Sequence, residues 1–314
     1  MKAYLRMRAT VLGRQLAELG WLRLALLVPM LLAAVGNVLV RLANQPDAHW
    51  ALPLLVFGLV WSAHRRRADL AFLPVAAPHF RRWLMGEYAL LSLPAAAVLL
   101  AFGHWDSAML AVVLAPLAAL ANAATSRAAR QRGRSVFRSE AFEWVCGFRQ
   151  TAGWGVWAGL LGVSTWQHQQ RMVPALAVLV WTLLMGMLYA TPEPAHMLLL
   201  GGRSAAQVLR RRLLLAHGYY LLTVAPLLGL MAGGQAGWAG ALLFLAWGLV
   251  VLTMLVLAKY AFYPQATFSR LTQGGVVALA LLTGTQSVYG ALLLACFVGL
   301  VWKSRQQLAT FRFD

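Results

Sequence analysis

Ten apolar runs follow one another along this 314-residue chain, at about 22–40, 50–63, 83–102, 107–124, 151–166, 172–189, 213–231, 238–258, 268–284 and 287–302. Each is about 14–21 residues long, and a helix needs roughly 20 apolar residues to cross about 30 Å of hydrocarbon. The shorter runs must borrow flanking residues or meet a thinned bilayer. Composition agrees: 61% of the residues are apolar and 11% charged, against about 45–50% and about 25% in soluble domains. A soluble globule could not hide that much apolar surface. Disordered chains are poor in apolar residues, so disorder is excluded as well. The expected fold is all-α: a polytopic integral membrane helical bundle of about ten transmembrane helices.

The charge gives an orientation. Twenty-seven Lys and Arg face nine acids, for a net charge of +18. In a soluble chain this balance would suggest nucleic acid. Here the cations cluster in connectors between apolar runs, where positive charge stays cytoplasmic and meets anionic head groups. Alternating the ten runs places 25 cations on one side and only Arg41 and Arg171 on the other. Both termini are therefore expected in the cytoplasm of a bacterial inner membrane, with membrane lipids as partners and no nucleic acid. Residues 1–21 read as a basic interfacial helix, with Tyr4, Leu5, Leu12, Leu16 and Leu19 on one face. They do not read as a signal peptide, because the basic region is long and Arg41 follows the apolar run. The transmembrane domain spans 22–302, with cytoplasmic connectors at 64–82, 125–150, 191–212 and 259–267. Residues 303–314 form a cytoplasmic tail. The last hairpin has short runs and a short turn at 284–287, so a re-entrant course is the alternative there.

Residues 69–94 and 194–226 resemble each other. Both carry a short apolar piece, a break, an arginine cluster and a span with an internal proline, Pro94 or Pro226. The offset drifts between 130 and 132 residues. Either a parallel repeat or the ordinary likeness of basic-flanked apolar helices explains it.

Chemical machinery is sparse. No acid lies in the middle of a run; Glu87, in the first turns of the third, comes nearest. Proton-coupled carriers commonly need such a group. Asn37, Asn122, Thr182, Thr223 and Thr253 suit packing between helices. The seven histidines show no HxxH or HxxxH spacing and no helically spaced acid, so no metal site is expected. Nucleophile-elbow, Walker and GxGxxG signatures are absent. Gly155, Gly159 and Gly162 form a small-residue stripe that suggests close helix packing. Cys146 and Cys296 are far apart and read as packing residues.

The connectors carry more. Pro192 and Pro194 end the sixth run, an apolar piece Met197–Leu200 meets Gly201 and Gly202, and Ser204 with Gln207 forms a capping box that starts the next helix. Residues 69–73 form a similar apolar piece, broken by Pro74 and Pro78. A third lies at 136–148, with Phe137, Ala141, Trp144, Val145 and Phe148 on one helical face and Arg138, Glu140 and Glu143 elsewhere. These pieces either lie in the interface as amphipathic connectors or present docking faces to a cytosolic partner.

The segment HRRRADLAFLPVAAPHFRRWLMGEYALLSLP, with EPAHMLLLGGRSAAQVLRRRLLLAHGYYLLTVAP, resembles the permease subunits of bacterial ATP-binding-cassette exporters, in a poorly characterised branch. The resemblance implies a dimeric transmembrane assembly that binds a separate cytosolic ATPase subunit through short cytoplasmic helices. ATP and Mg would sit on that ATPase, with no cofactor, catalytic residue or metal in this chain. By position, Asp69, Leu70, Phe72 and Leu73 in one connector, and Glu193, Met197, Leu198 and Leu199 in the other, would bind the partner. Many such permeases have six spans per chain, and this one shows ten. Without the resemblance, a secondary carrier or lipid-handling protein acting alone, or a membrane enzyme with an unrecognised site, remains open.

Overall fold

A computed structural model describes residues 2–45, 49–65, 67–71, 73–76, 79–121, 136–151, 153–169, 172–191, 193, 204–284 and 286–310. Among these residues the chain is helical and contains no strand. In order the α-helices are α1 (Lys2–Leu19), α2 (Trp21–Ala43), α3 (Ala51–Arg65), α4 (Leu73–Ala76), α5 (Phe80–Ala101), α6 (Trp105–Leu117), α7 (Phe142–Thr151), α8 (Gly153–Trp166), α9 (Met172–Leu188), α10 (Ala205–Gly233), α11 (Gly237–Ala261), α12 (Ala266–Leu282) and α13 (Ser287–Thr310). Short 3-10 turns occupy Ala68–Ala71 and Ala118–Leu120. Over its described residues, each apolar run overlaps one or two of these helices. A helix closes its own backbone hydrogen bonds, which a segment in hydrocarbon must do.

Among the described residues, four helices are long and apolar enough to cross a membrane: Phe80–Ala101, Ala206–Gly233, Gly237–Ala261 and Ser287–Thr310. Shorter apolar helices cover Val28–Ala43, Ala51–Arg65, Trp105–Leu120, Met172–Leu188 and Ala266–Leu282. Two boundaries differ from expectation. α13 continues through Lys303 and Arg305 to Thr310, so its 24 residues are not a short run and most of the expected tail is helix. The helix expected over 136–148 begins only at Phe142 and runs on to Thr151. The Ser204–Gln207 capping box is present, each side chain bonding the other's backbone N–H.

The chain divides into two compact units: residues 1–133 with 149–151, and residues 134–148 with 152–314. In the first, α6 packs on α3 and α5, and α2 packs on α3 and α5. Ala108, Ala111 and Ala115 of α6, with Ala118 and Ala119 after it, are buried, and their small side chains allow the helices close approach. Tyr4 of α1, Leu70, Leu73, Leu84 and Tyr88 join that core. In the second unit α11 is central, packed by α9, α10, α12 and α13. Its residues from Met254 to Ala261 are all buried, which explains an apolar stretch without a polar face.

The sequence resemblance between the two halves extends to their packing. Within α2, α3, α5 and α6, the first helix touches the second and third, the second touches the third and fourth, and the third touches the fourth; α8, α9, α10 and α11 repeat that pattern. Gly86, Tyr88 and Pro94 on α5 correspond to Gly218, Tyr220 and Pro226 on α10 at a constant offset of 132. In each unit that tyrosine bonds the second helix: Tyr88 Oη to His64 Nδ1 at 2.7 Å, and Tyr220 Oη to Thr182 Oγ1 at 2.8 Å. α12 and α13 are additions to the second unit.

Candidate functional site

Each unit holds a network of two cations and two acids that ties a connector to its helices. In the first unit Arg67, just past the end of α3, is the hub. Its Nε and Nη2 grip Asp69 at 2.9 and 2.8 Å, Nη1 reaches Glu87 Oε2 at 3.0 Å, and Nη2 also donates to Tyr4 Oη at 2.9 Å. Glu87 on α5 accepts further bonds from Tyr4 Oη at 2.5 Å and Arg8 Nη2 at 3.1 Å. The planar guanidinium matches two carboxylates at once, which an ammonium would not. The Arg67 bonds hold the Asp69 carboxyl below its usual range, against the opposing effect of burial. Burial pushes the Tyr4 hydroxyl up to about 12, and its bond to Glu87 pushes the same way. α1, the connector and α5 are thus joined by charge as well as by packing.

The second unit's network lies deeper. Lys259, near the end of α11, is fully buried and donates to Glu193 Oε1 at 2.7 Å and to Glu143 Oε1 at 3.2 Å. Arg212 on α10 faces Glu143 Oε2 at 3.4 Å and Glu193 Oε2 at 3.7 Å. Tyr260 Oη donates to Glu193 Oε1 at 3.1 Å, and Tyr263 Oη donates to the Glu193 carbonyl at 2.7 Å. The Phe142 ring lies under both cations, 4.9 Å from the Arg212 guanidinium carbon and 5.6 Å from Lys259 Nζ. Burial raises the Glu143 carboxyl to about 7 against the pull of Lys259. Burial also acts on Glu193, but there Lys259, the Glu143 contact and Arg212 prevail and hold it well below the ordinary glutamate value. Removing one partner of such a buried set leaves an uncompensated charge, commonly at a cost of about 3–5 kcal/mol.

Around this network the aromatic face of the 136–148 segment turns inward. Phe137, Trp144 and Phe148 are buried among Trp154, Trp181 and Tyr219, and the Trp144 indole N–H donates to Tyr189 Oη at 2.8 Å. This face serves the unit's own core, and Glu143, expected away from it, is buried beside it against Lys259 and Arg212.

The residues expected to bind a partner separate into three groups. Leu70 and Leu73 are buried in the first unit's core. Asp69 is partly exposed but held by Arg67, and Glu193 is buried in the second network. Phe72, Met197, Leu198 and Leu199 lie outside the described residues. Among the described apolar residues of the first connector, Val75 on α4 is exposed, at 83%. Two packing expectations are corrected. A Cβ on Gly155, Gly159 or Gly162 would meet nothing within 4 Å, whereas one on Gly186 would lie 2.4 Å from Leu255 and one on Gly248 2.1 Å from Tyr220 Oη; close approach occurs on α9 and α11, not on the α8 stripe. Cys146 and Cys296 are both exposed rather than packed inside.

Sequence reasoning missed Lys259, Arg212 and Glu143 as one group. Lys259 carried a signal: it is one of only three lysines among 27 cations, and it interrupts the apolar stretch LVLAKYAFY. No group of three or more potential metal ligands occurs among the described residues. No protein-family model, curated protein or solved structure matches this chain.

Proposed function

We propose that this chain is the transmembrane permease subunit of an ATP-driven exporter, with ten membrane-crossing helices, both ends in the cytoplasm, and a separate cytosolic ATPase as its partner. The observation that carries the reading is the pair of ion networks. Each ties a connector to the proline-bearing third helix of its unit, and the second also to the helix after it: Arg67 and Asp69 to Glu87, and Glu193 to Arg212 and Lys259. A connector anchored in this way passes a push from a partner to the spans as a displacement of packed helices, the kind of motion that rigid-body switching requires. Because Leu70 and Leu73 belong to the core, the docking surface of the first connector is assigned to Val75 and the exposed edge of Asp69. The second connector would offer Met197, Leu198 and Leu199.

The test is co-purification. The tagged chain, extracted in mild detergent from its native host, should bring down an ATPase, and Val75→Asp with Leu198→Ala should release that ATPase while expression and insertion stay normal. Truncating an interface anchor commonly costs about 2 kcal/mol, roughly a thirtyfold loss of affinity. Recovery of no ATPase with the unmutated chain refutes the exporter reading. Orientation is checked separately. In a background with Cys146 and Cys296 replaced by Ser, cysteines at positions 47 and 169 should react with an impermeant thiol reagent in intact cells, and one at 132 should not.

A secondary carrier is the second reading, and the buried Glu143–Glu193 pair favours it, because a carrier coupled to protons needs an ionisable group shielded from bulk water. Transport that stops when the proton gradient is dissipated at constant ATP selects the carrier; transport that continues selects the exporter.

A further inference from the structure

The Glu193 carboxylate is satisfied on one oxygen only. Oε1 accepts from Lys259 and Tyr260, whereas the buried Oε2 accepts no hydrogen bond among the described residues and has only the Arg212 guanidinium at 3.7 Å. A buried acceptor without a donor is costly. The Glu143 carboxyl sits against the same two cations, with Lys259 Nζ 3.2 Å from its Oε1 and Arg212 Nη1 3.4 Å from its Oε2, and an ionised Glu143 has no hydrogen to offer a neighbouring carboxylate. We infer that Glu143 and Glu193 form a proton-binding site, in which one proton on Glu143 bridges the two carboxyl groups and fastens Glu193 to α7.

The surroundings supply the rest of the argument. The groups facing the pair are Arg212 from α10, Lys259 and Tyr260 from α11, and Tyr189 at the end of α9, with Tyr263 on the Glu193 carbonyl. With Glu143 protonated, two cations face one anion. With it ionised, charge balances, but two carboxylates face each other in a buried site and the bridging hydrogen is gone. Proton uptake therefore tightens the hold on Glu193 and proton release loosens it. The proton comes from and returns to water, and no other bond changes. Burial places the Glu143 carboxyl at about 7, where small changes in cytoplasmic pH alter its occupancy.

This inference stands apart from the exporter reading, because it needs neither partner nor substrate. It is tested on the purified full-length chain in two ways. Infrared difference spectra should show a protonated carboxylic acid band at pH 6 that disappears as pH rises through about 7, and Glu143→Gln should lack it. The melting temperature of the unmutated chain should fall across the same rise. A pKa raised in the folded state contributes stability that is fully present below the unfolded value of 4.5 and is lost as pH climbs through about 7. Glu143→Gln keeps a hydrogen-bond donor and loses the titration, so its melting temperature should be flat over that window and above that of the unmutated chain at pH 8. The proposal is overturned if the unmutated chain shows no protonated-acid band at pH 6, or if Glu143→Gln melts below it at pH 8, as loss of a plain ion pair would require. Should the variant not fold, the band in the unmutated chain decides alone.

Discussion

Gly248→Ala offers a quantitative test of the contact between α10 and α11. The added Cβ would sit 2.1 Å from Tyr220 Oη, 3.0 Å from its Cζ and 3.4 Å from Thr182 Oγ1. Tyr220 has no free space to swing into, since it is fully buried and its hydroxyl is bonded to Thr182, which itself donates to the Val178 carbonyl. Overpacking of this kind costs about 1–3 kcal/mol, and displacing the hydroxyl from its partner adds about 0.5–1.5 kcal/mol. Replacing Gly by Ala inside a helix returns about 1 kcal/mol. The net expectation is a loss of about 2 kcal/mol. Tyr220→Phe alone should cost about 1 kcal/mol, because Thr182 keeps its backbone bond. The double variant should then be more stable than Gly248→Ala alone, since the nearest remaining ring atom stands at 3.0 Å, a distance a small shift relieves. The assay is a double-mutant cycle on denaturant unfolding in detergent. If Gly248→Ala matches the unmutated chain, or if Tyr220→Phe gives no relief, the close approach of these helices is refuted.

Two further outcomes follow from the same geometry. Gly155, Gly159 and Gly162 meet nothing within 4 Å, so converting all three to Ala should leave folding intact and raise stability by up to about 1 kcal/mol per site; a large loss in the same unfolding assay would show that the stripe packs against something after all. At acid pH the sign opposite to that of Glu143 applies. Asp69 and Glu193 have depressed values in the folded state, so their contribution is complete above the ordinary carboxylate range and is lost as pH falls through the folded values. Melting temperature should therefore decline below about pH 4, a decline reduced in Asp69→Asn and in Glu193→Gln; an unchanged acid limb in both variants would remove these networks as its cause.

How much was legible beforehand depends on the range of the interaction involved. The ten apolar runs, the basic connectors and the Ser204–Gln207 cap are local properties, set by side-chain transfer energies and by backbone donors a few residues away; the described residues of the apolar runs are helical, and the cap starts α10. The likeness of 69–94 to 194–226 was visible but ambiguous until the shared packing and the matching tyrosine contacts appeared. Depth of burial was the weak point: the aromatic face of 136–148 turns inward as its spacing predicts, but Glu143 beside it is buried too, because Lys259 and Arg212 from distant helices close over it. The glycine stripe misled for a related reason, because spacing on one helix shows which residues share a face but not what that face meets.

The sequence by itself determined that the chain is all-helical, built of apolar helices joined by basic connectors, because apolar runs and charge clusters are local properties of the chain. Only the tertiary structure decided which charges meet. Lys259 and Glu143 are 116 residues apart and Arg8 and Glu87 are 79 apart, and a pairing at that separation leaves no periodicity to read. It arises when helices with small or missing side chains at their contacts pack closely enough to bring a few charged groups together away from water, where an unpaired charge is too costly to keep.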